Sequence, residues 1–234
     1  MPKTFVLVHG AWHGGWCWRR VAEPLEKQGH RVLCSTLPGL GEHSHLLTPD
    51  IGLSTHITDI VNLFKWEDLD GAVLCGHSYA GLVVAGVAER MEKRIASIVF
   101  LDAFAPENGD SALSSTSPEL REKVHADERK GKTGITPRTA DVFGIAERDR
   151  AWVESKLTPQ PIKCFTETIA LTGAYERIGK KTYVRAPAYA NPGFDKALKR
   201  AQADPAWRTH VVECGHDIML IEPDWTAKML LEAV

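Results

Sequence analysis

Short runs that are apolar on both faces constrain this chain more than any other feature. TFVLVHG (4–10), RVLCSTL (31–37), GAVLCGH (71–77) and ASIVFLDAF (96–104) read as strands, and KTYVRAPAY (181–189) and THVVECG (209–215) extend the series to six. A strand with one wet face alternates apolar and polar residues. These runs do not, so both faces of their sheet must be covered. The cover is also written in the chain. Residues 15–28 carry Trp18, Val21 and Leu25 on one helical face, and residues 53–64 carry Ile57, Ile60, Val61 and Phe64. Further helices are expected over 79–91, 194–203 and 223–233. Strands alternating with helices imply right-handed crossovers, a mostly parallel six-stranded sheet and a doubly wound α/β fold with helices on both faces. Functional residues in such a fold gather at the carboxyl ends of the strands.

One segment breaks the alternation. Residues 105–180 are rich in charge and hold no convincing core strand, while helical pieces fit near 118–130, 139–156 and 165–177. The stretch is too long for a plain loop. It is expected to form a helical cap inserted into a core of residues 1–104 and 181–234. With 234 residues the chain can bury roughly 70–75% of its unfolded surface, so no disulfide or metal is needed to hold it together. The five cysteines, Cys17, Cys34, Cys75, Cys164 and Cys214, are scattered, with no CxxC and no zinc spacing. Reduced thiols and a cytoplasmic setting are expected. A net charge of −2 without like-charge runs argues against nucleic acid and against a polybasic membrane contact. No apolar run is long enough to span a bilayer, and MPKTFVLVHG lacks the apolar core of a signal peptide. Monomer and homodimer both stay open.

After the first strand comes HGAWHGGW, which is not G-x-G-x-x-G, and there is no Walker A pattern. No nucleotide and no other cofactor is expected. The third strand runs into GHSYAG (76–81), a near match to G-x-S-x-G with Ala80 in place of the second glycine and Gly81 one residue late. That motif presents a serine on a strained strand-to-helix turn, and its flanking positions must be small. Gly76 and Ala80 meet that need. A serine after a strand is also a common helix N-cap, so Ser78 alone decides nothing. A serine hydroxyl needs a base, and His216 in CGHD sits on the same rim after the last strand. The alkoxide that develops needs donors. The backbone N–H groups of Tyr79 and of Ala11, in HGAW, are placed to supply them.

These motifs resemble the α/β-hydrolase superfamily, and more narrowly the small esterases and lyases that include plant hydroxynitrile lyases and methylesterases. The likeness runs through FVLVHGAWHGGWCWRRV, VLCGHSYAGLV, IVFLDAFAP and GHDIMLIEP, is weak in 105–180, and extends to the opening of bacterial carbendazim-hydrolysing esterases. It implies an α/β-hydrolase fold and a Ser78–His216 pair. In most of the superfamily the acid follows the next-to-last strand, but no Asp or Glu occurs from Val184 to Phe194. Asp102, ending the strand after the nucleophile's helix, matches the layout of the haloalkane dehalogenases. Asp195 is the alternative, and capping of the inserted segment is the other role open to Asp102.

The lyase branch uses a threonine in the oxyanion loop and a lysine after the catalytic histidine to hold cyanide. Here those positions are Ala11 and Asp217, and an aspartate facing the site would repel cyanide. Hydrolysis of a small, largely apolar ester or carbamate is therefore expected. Trp12, His13, Trp16, Phe143 and Trp152, with Leu157 and Phe165, are candidate pocket residues. His43 and His45 lack a third metal ligand in the sequence around them, and no metal site is expected. Cofactor-free lyase or dioxygenase chemistry, or non-catalytic ligand binding on the same scaffold, are the rival readings.

Overall fold

The computed structural model describes residues 1–234. Six strands, β1 (Thr4–Val8), β2 (Arg31–Ser35), β3 (Ala72–His77), β4 (Ile95–Leu101), β7 (Lys181–Arg185) and β8 (Trp207–Val211), form one sheet in the order β2-β1-β3-β4-β7-β8. Every pairing in it is parallel. The helices α1 (Arg19–Lys27), α2 (Leu53–Trp66), α3 (Ala80–Met91), α8 (Pro192–Ala203), α9 (Ile218–Ile221) and α10 (Pro223–Glu232) belong to this core.

Successive strand residues point to opposite faces. Val6, Val8, Leu74, Ile98 and Phe100 join α2 and α3 in one apolar cluster. Phe5, Leu7, Val73, Cys75, Val99 and Leu101 join α1 and α10 in the other. A one-residue slip in register would exchange these two sets, so the two-sided core pins the pairing.

The chain runs from β1 outward to β2 and then returns to place β3 on β1's other side. That reversal opens a crevice at the carboxyl ends of β1 and β3. Register completes the placement: Val8 lies opposite Gly76, His77 opposite Leu101, and Leu101 opposite Val184. The residues just beyond, Ser78, Asp102 and Arg185, therefore leave three adjacent strands on one rim.

Between β4 and β7 lie α4 (Pro118–Arg129), a two-stranded antiparallel ribbon of β5 (Gly134–Ile135) and β6 (Gln160–Pro161), α5 (Glu147–Glu154), α6 (Lys163–Thr166) and α7 (Ala174–Arg177). The ribbon lies outside what helical periodicity could show. The helix expected over 139–156 is interrupted by Gly144 at φ 79°, where a Cβ would stand 2.6 Å from Gly215 Cα. The helix expected over 165–177 is two single turns. The segment owns a cluster of only Leu113, Val124 and Ile162. Cys164, Ile169, Ala174, Tyr175 and Ile178 pack into the main core instead.

Candidate active site

Ser78 follows β3 with φ 54°, in the left-handed region that an L residue avoids. Two flanking contacts enforce the turn. A Cβ on Gly76 would stand 2.6 Å from the Ala80 carbonyl oxygen, and one on Gly81 would run into the carbonyl oxygen of Phe104. Gly81 thus lets α3 start against the chain leaving β4. A Cβ on Gly10 would meet Ser78 Cβ at 2.9 Å, so the loop after β1 lies directly on the serine. The N-terminus of α3 has no side-chain cap, and the Ser78 hydroxyl instead faces His216 Nε2 at 2.8 Å. The N-cap alternative for Ser78 is not what the geometry displays.

His216 Nδ1 lies 2.6 Å from Asp102 Oδ2. A carboxylate only accepts, so Nδ1 carries the hydrogen and Nε2 is left to accept from Ser78. The other oxygen of Asp102 accepts from Arg185 Nη1 at 2.8 Å and from the Ala186 N–H at 3.0 Å. Asp102 itself has φ 43° and is fully buried. Asp195, the alternative acid, sits in the first turn of α8 and accepts from Arg185 Nε at 2.8 Å, away from the imidazole. Arg185 also donates to the Tyr189 carbonyl oxygen, and the Tyr189 ring stacks on His216 with centroids 4.1 Å apart.

Trp12 is the third positive-φ residue of the site, at 67°. Three such residues, at about 1–3 kcal/mol each, are strain that the surrounding structure must hold in place. Neither the Ala11 nor the Tyr79 N–H has a partner within the chain, and both residues line the cavity that contains Ser78.

That cavity measures about 190 Å³. Trp12, Phe104, Tyr189 and Phe194 line it from the core, and Leu113, Val124, Ile135 and Phe165 from the inserted segment. Arg138, at its edge, is the one charged lining residue. Larger hollows of about 430 and 490 Å³ lie beside Trp207 and along α1, but neither is lined by a serine or a histidine.

Of the candidate pocket residues, Trp12 and Phe165 line the cavity, beside Tyr79. His13, Trp16, Phe143, Trp152 and Leu157 do not. The left-handed turn at Trp12 sends the following residues to the far side of the loop. There His13 stacks on Trp16, Trp16 packs edge-on against Trp152, and Arg20 covers Trp152. Phe143 lies behind the site, against Trp12, His13 and His216, and Leu157 packs into the α1-side cluster.

Behind the imidazole is a second buried network, which no local motif announced. Asp217 turns inward, not toward the cavity, so it puts no charge where cyanide would sit. Its Oδ2 lies 3.0 Å from His13 Nε2, and His13 Nδ1 lies 2.8 Å from the Ala11 carbonyl oxygen. Both His13 nitrogens face acceptors only, which requires an imidazolium. Burial opposes that charge, but the Asp217 carboxylate overrides it and raises the His13 pKa above its ordinary 6.5. Burial likewise opposes the Asp217 charge, and the His13 cation overrides it and lowers Asp217 below 3.8. His77 donates through Nε2 to the His216 carbonyl oxygen, and burial holds it neutral, its pKa well below 6.5.

The raised His13 pKa contributes stability that is complete below 6.5 and lost as pH rises through the folded value. The lowered Asp217 pKa contributes stability present above 3.8 and lost as pH falls through its folded value. The stability gap between wild type and His13→Gln should therefore be widest in weakly acid solution, at about 3–5 kcal/mol for a broken buried pair. It should narrow at alkaline pH. Urea midpoints of both proteins across pH check this, and a flat gap would mean that His13 is neutral.

His77, His216 and Asp217 bring possible metal-ligand atoms within 4.8 Å of one another. Those groups are already engaged: His216 by Asp102 and Ser78, and Asp217 by His13. His43 and His45 face the carbonyl oxygens of Thr36 and Glu42.

A carbendazim hydrolyzing esterase of Nocardioides sp. (strain SG-4G) is 37% identical over 236 residues, covering 97% of this chain and 98% of its own. Salicylic acid-binding protein 2 of Nicotiana tabacum is 27% identical, over 98% of this chain and 96% of its own. An extracellular alpha/beta-hydrolase from a Paenibacillus species superposes with a TM-score of 0.86 at 25% identity, covering 99% of both chains. The model of the Alpha/beta hydrolase family matches residues 5–229. On the parallel sheet, the strained serine turn and this match across nearly its whole length, the chain belongs to the alpha/beta hydrolase family.

Proposed function

We propose that the chain is a serine esterase that cleaves small, largely apolar carboxylic esters or carbamates through an acyl-enzyme on Ser78. The hydrogen-bonded series Ser78 Oγ, His216, Asp102, at 2.8 and 2.6 Å, carries the reading. The end-to-end likeness to a carbendazim hydrolyzing esterase supports the hydrolytic chemistry.

The steps follow from the atoms present. His216 Nε2 takes the Ser78 proton as Oγ attacks the acyl carbon. The Ala11 and Tyr79 N–H groups receive the oxyanion. Asp102 stays ionised and stabilises the imidazolium. His216 returns the proton to the leaving oxygen, then deprotonates the water that releases the acid. Apolar walls with Arg138 at the edge suit a neutral, compact acyl or aryl group. No lysine follows His216 and the oxyanion loop carries Ala11, so hydrolysis is favoured over cyanohydrin cleavage.

Treatment with a fluorophosphonate probe tests the assignment. The wild type should gain the mass of one adduct, on the peptide containing Ser78, and His216→Ala should gain none. An unlabelled but folded wild type would overturn the esterase reading in favour of a ligand binder.

A further inference from the structure

The peptide unit joining Ala11 to Trp12 is held at both ends. Its carbonyl oxygen, that of Ala11, accepts from His13 Nδ1 at 2.8 Å. Its N–H, that of Trp12, donates to Gln160 Oε1 at 3.0 Å, across 148 residues of chain. Gln160 is fully buried and belongs to the ribbon of the inserted segment. Its partner across the ribbon is Ile135, whose carbonyl oxygen accepts from Trp12 Nε1 at 2.9 Å. The Thr158 N–H donates to the Trp12 carbonyl oxygen at 3.0 Å. Every polar group of Trp12 is thus taken by the inserted segment.

This matters because Trp12 is a bulky residue at φ 67°. Relief of that strain would displace the Ala11–Trp12 peptide unit, and with it the Ala11 Cα, from which the Ala11 N–H of the preceding unit is directed. His13 and Gln160 oppose that displacement from opposite ends. A backbone donor works only when it is already aimed at the place where charge develops.

We infer that Gln160 is a positioning residue for the oxyanion hole. It clamps the Ala11–Trp12 peptide unit from the inserted ribbon, so the segment covering the site also takes part in its chemistry. The inference rests on the esterase reading, and on Ala11 as an oxyanion donor.

Gln160→Met keeps the length and removes the acceptor. We expect kcat to fall about 10- to 100-fold, short of the loss of a whole donor, with KM within about threefold. The inhibition constant of an aryl trifluoromethyl ketone, whose hemiketal oxyanion needs the same hole, should rise by a similar factor. A merely structural role would leave that constant unmoved. Gln160→Glu keeps an acceptor oxygen at the same reach and should recover most of the loss. If Gln160→Met does not fold, Gln160→Asn decides, because its amide is withdrawn by one methylene. A folded variant lacking the acceptor, or holding it out of reach, that keeps kcat and ketone affinity within about threefold of wild type overturns the clamp. The fluorophosphonate result on the wild type is independent of this one, so failure of the esterase reading would be seen separately.

Discussion

Ser78→Ala should lower kcat for any ester the protein turns over by about 10⁶-fold, while KM stays within about threefold. The reasoning is local. Alanine tolerates the same φ as serine, so the turn at 54° survives and the cavity keeps its walls. What disappears is the only hydroxyl within reach of His216 Nε2. The residual rate comes from the Ala11 and Tyr79 donors and from binding, which still act on a water attacking directly. Initial rates on a p-nitrophenyl ester with each protein provide the measurement. A loss under about tenfold would mean that another group attacks, and the role of Ser78 would have to be given up.

Asp102→Asn should cost about 10⁴-fold in kcat, and Asp195→Asn less than about threefold. The asparagine can still accept from Arg185 and Ala186 through one oxygen, so the fold keeps its anchor. Its amide N–H₂ then faces His216 Nδ1, where a carboxylate oxygen stood. The ring must take the other tautomer, with hydrogen on Nε2 pointing at Ser78, and it can no longer accept the serine proton. Asp195 is half-exposed and pairs only with Arg185, and an asparagine oxygen there can still accept from Arg185 Nε, so the bond from Arg185 to Asp102 is kept. Kinetics of the two variants against wild type would separate the carboxylates, and the opposite order would move the acid to α8.

How much of this was legible in the sequence depends on how local each signal is. Ser78 and His216 stand beside small residues at strand ends, and two-sided apolar runs put those ends on one rim. Asp102 was readable because no carboxylate occurs between Val184 and Phe194, while a charge closed the buried run ASIVFLD. Arg185 was readable in principle: a cation in a strand that the same reading buries needs an anion abreast of it. The Gln160–Trp12 and His13–Asp217 contacts span 148 and 204 residues, and periodicity carries nothing about such pairs. Trp16 and Trp152 misled because an aromatic residue near a motif gives no direction. Direction came from the left-handed turn at Trp12, which no composition rule anticipates for tryptophan. The break at Gly144 went unseen for a similar reason, since its cause is the backbone of Gly215 on a remote loop.

The placement of the carboxylate just after β4 has an evolutionary side. In an architecture where the loop after the next-to-last strand bears the acid, that loop cannot drift without risk to the chemistry. Here residues 186–191 carry no proton-handling group; they contribute Tyr189 and Asn191 to the cavity and are tethered through Arg185 to an acid that belongs elsewhere. On the proposed esterase reading, selectivity is carried in part by a stretch that holds no reacting group. Sequence variation at Asn191 can search new substrates, whereas Tyr189 stays tied to the chemistry by its stacking on His216.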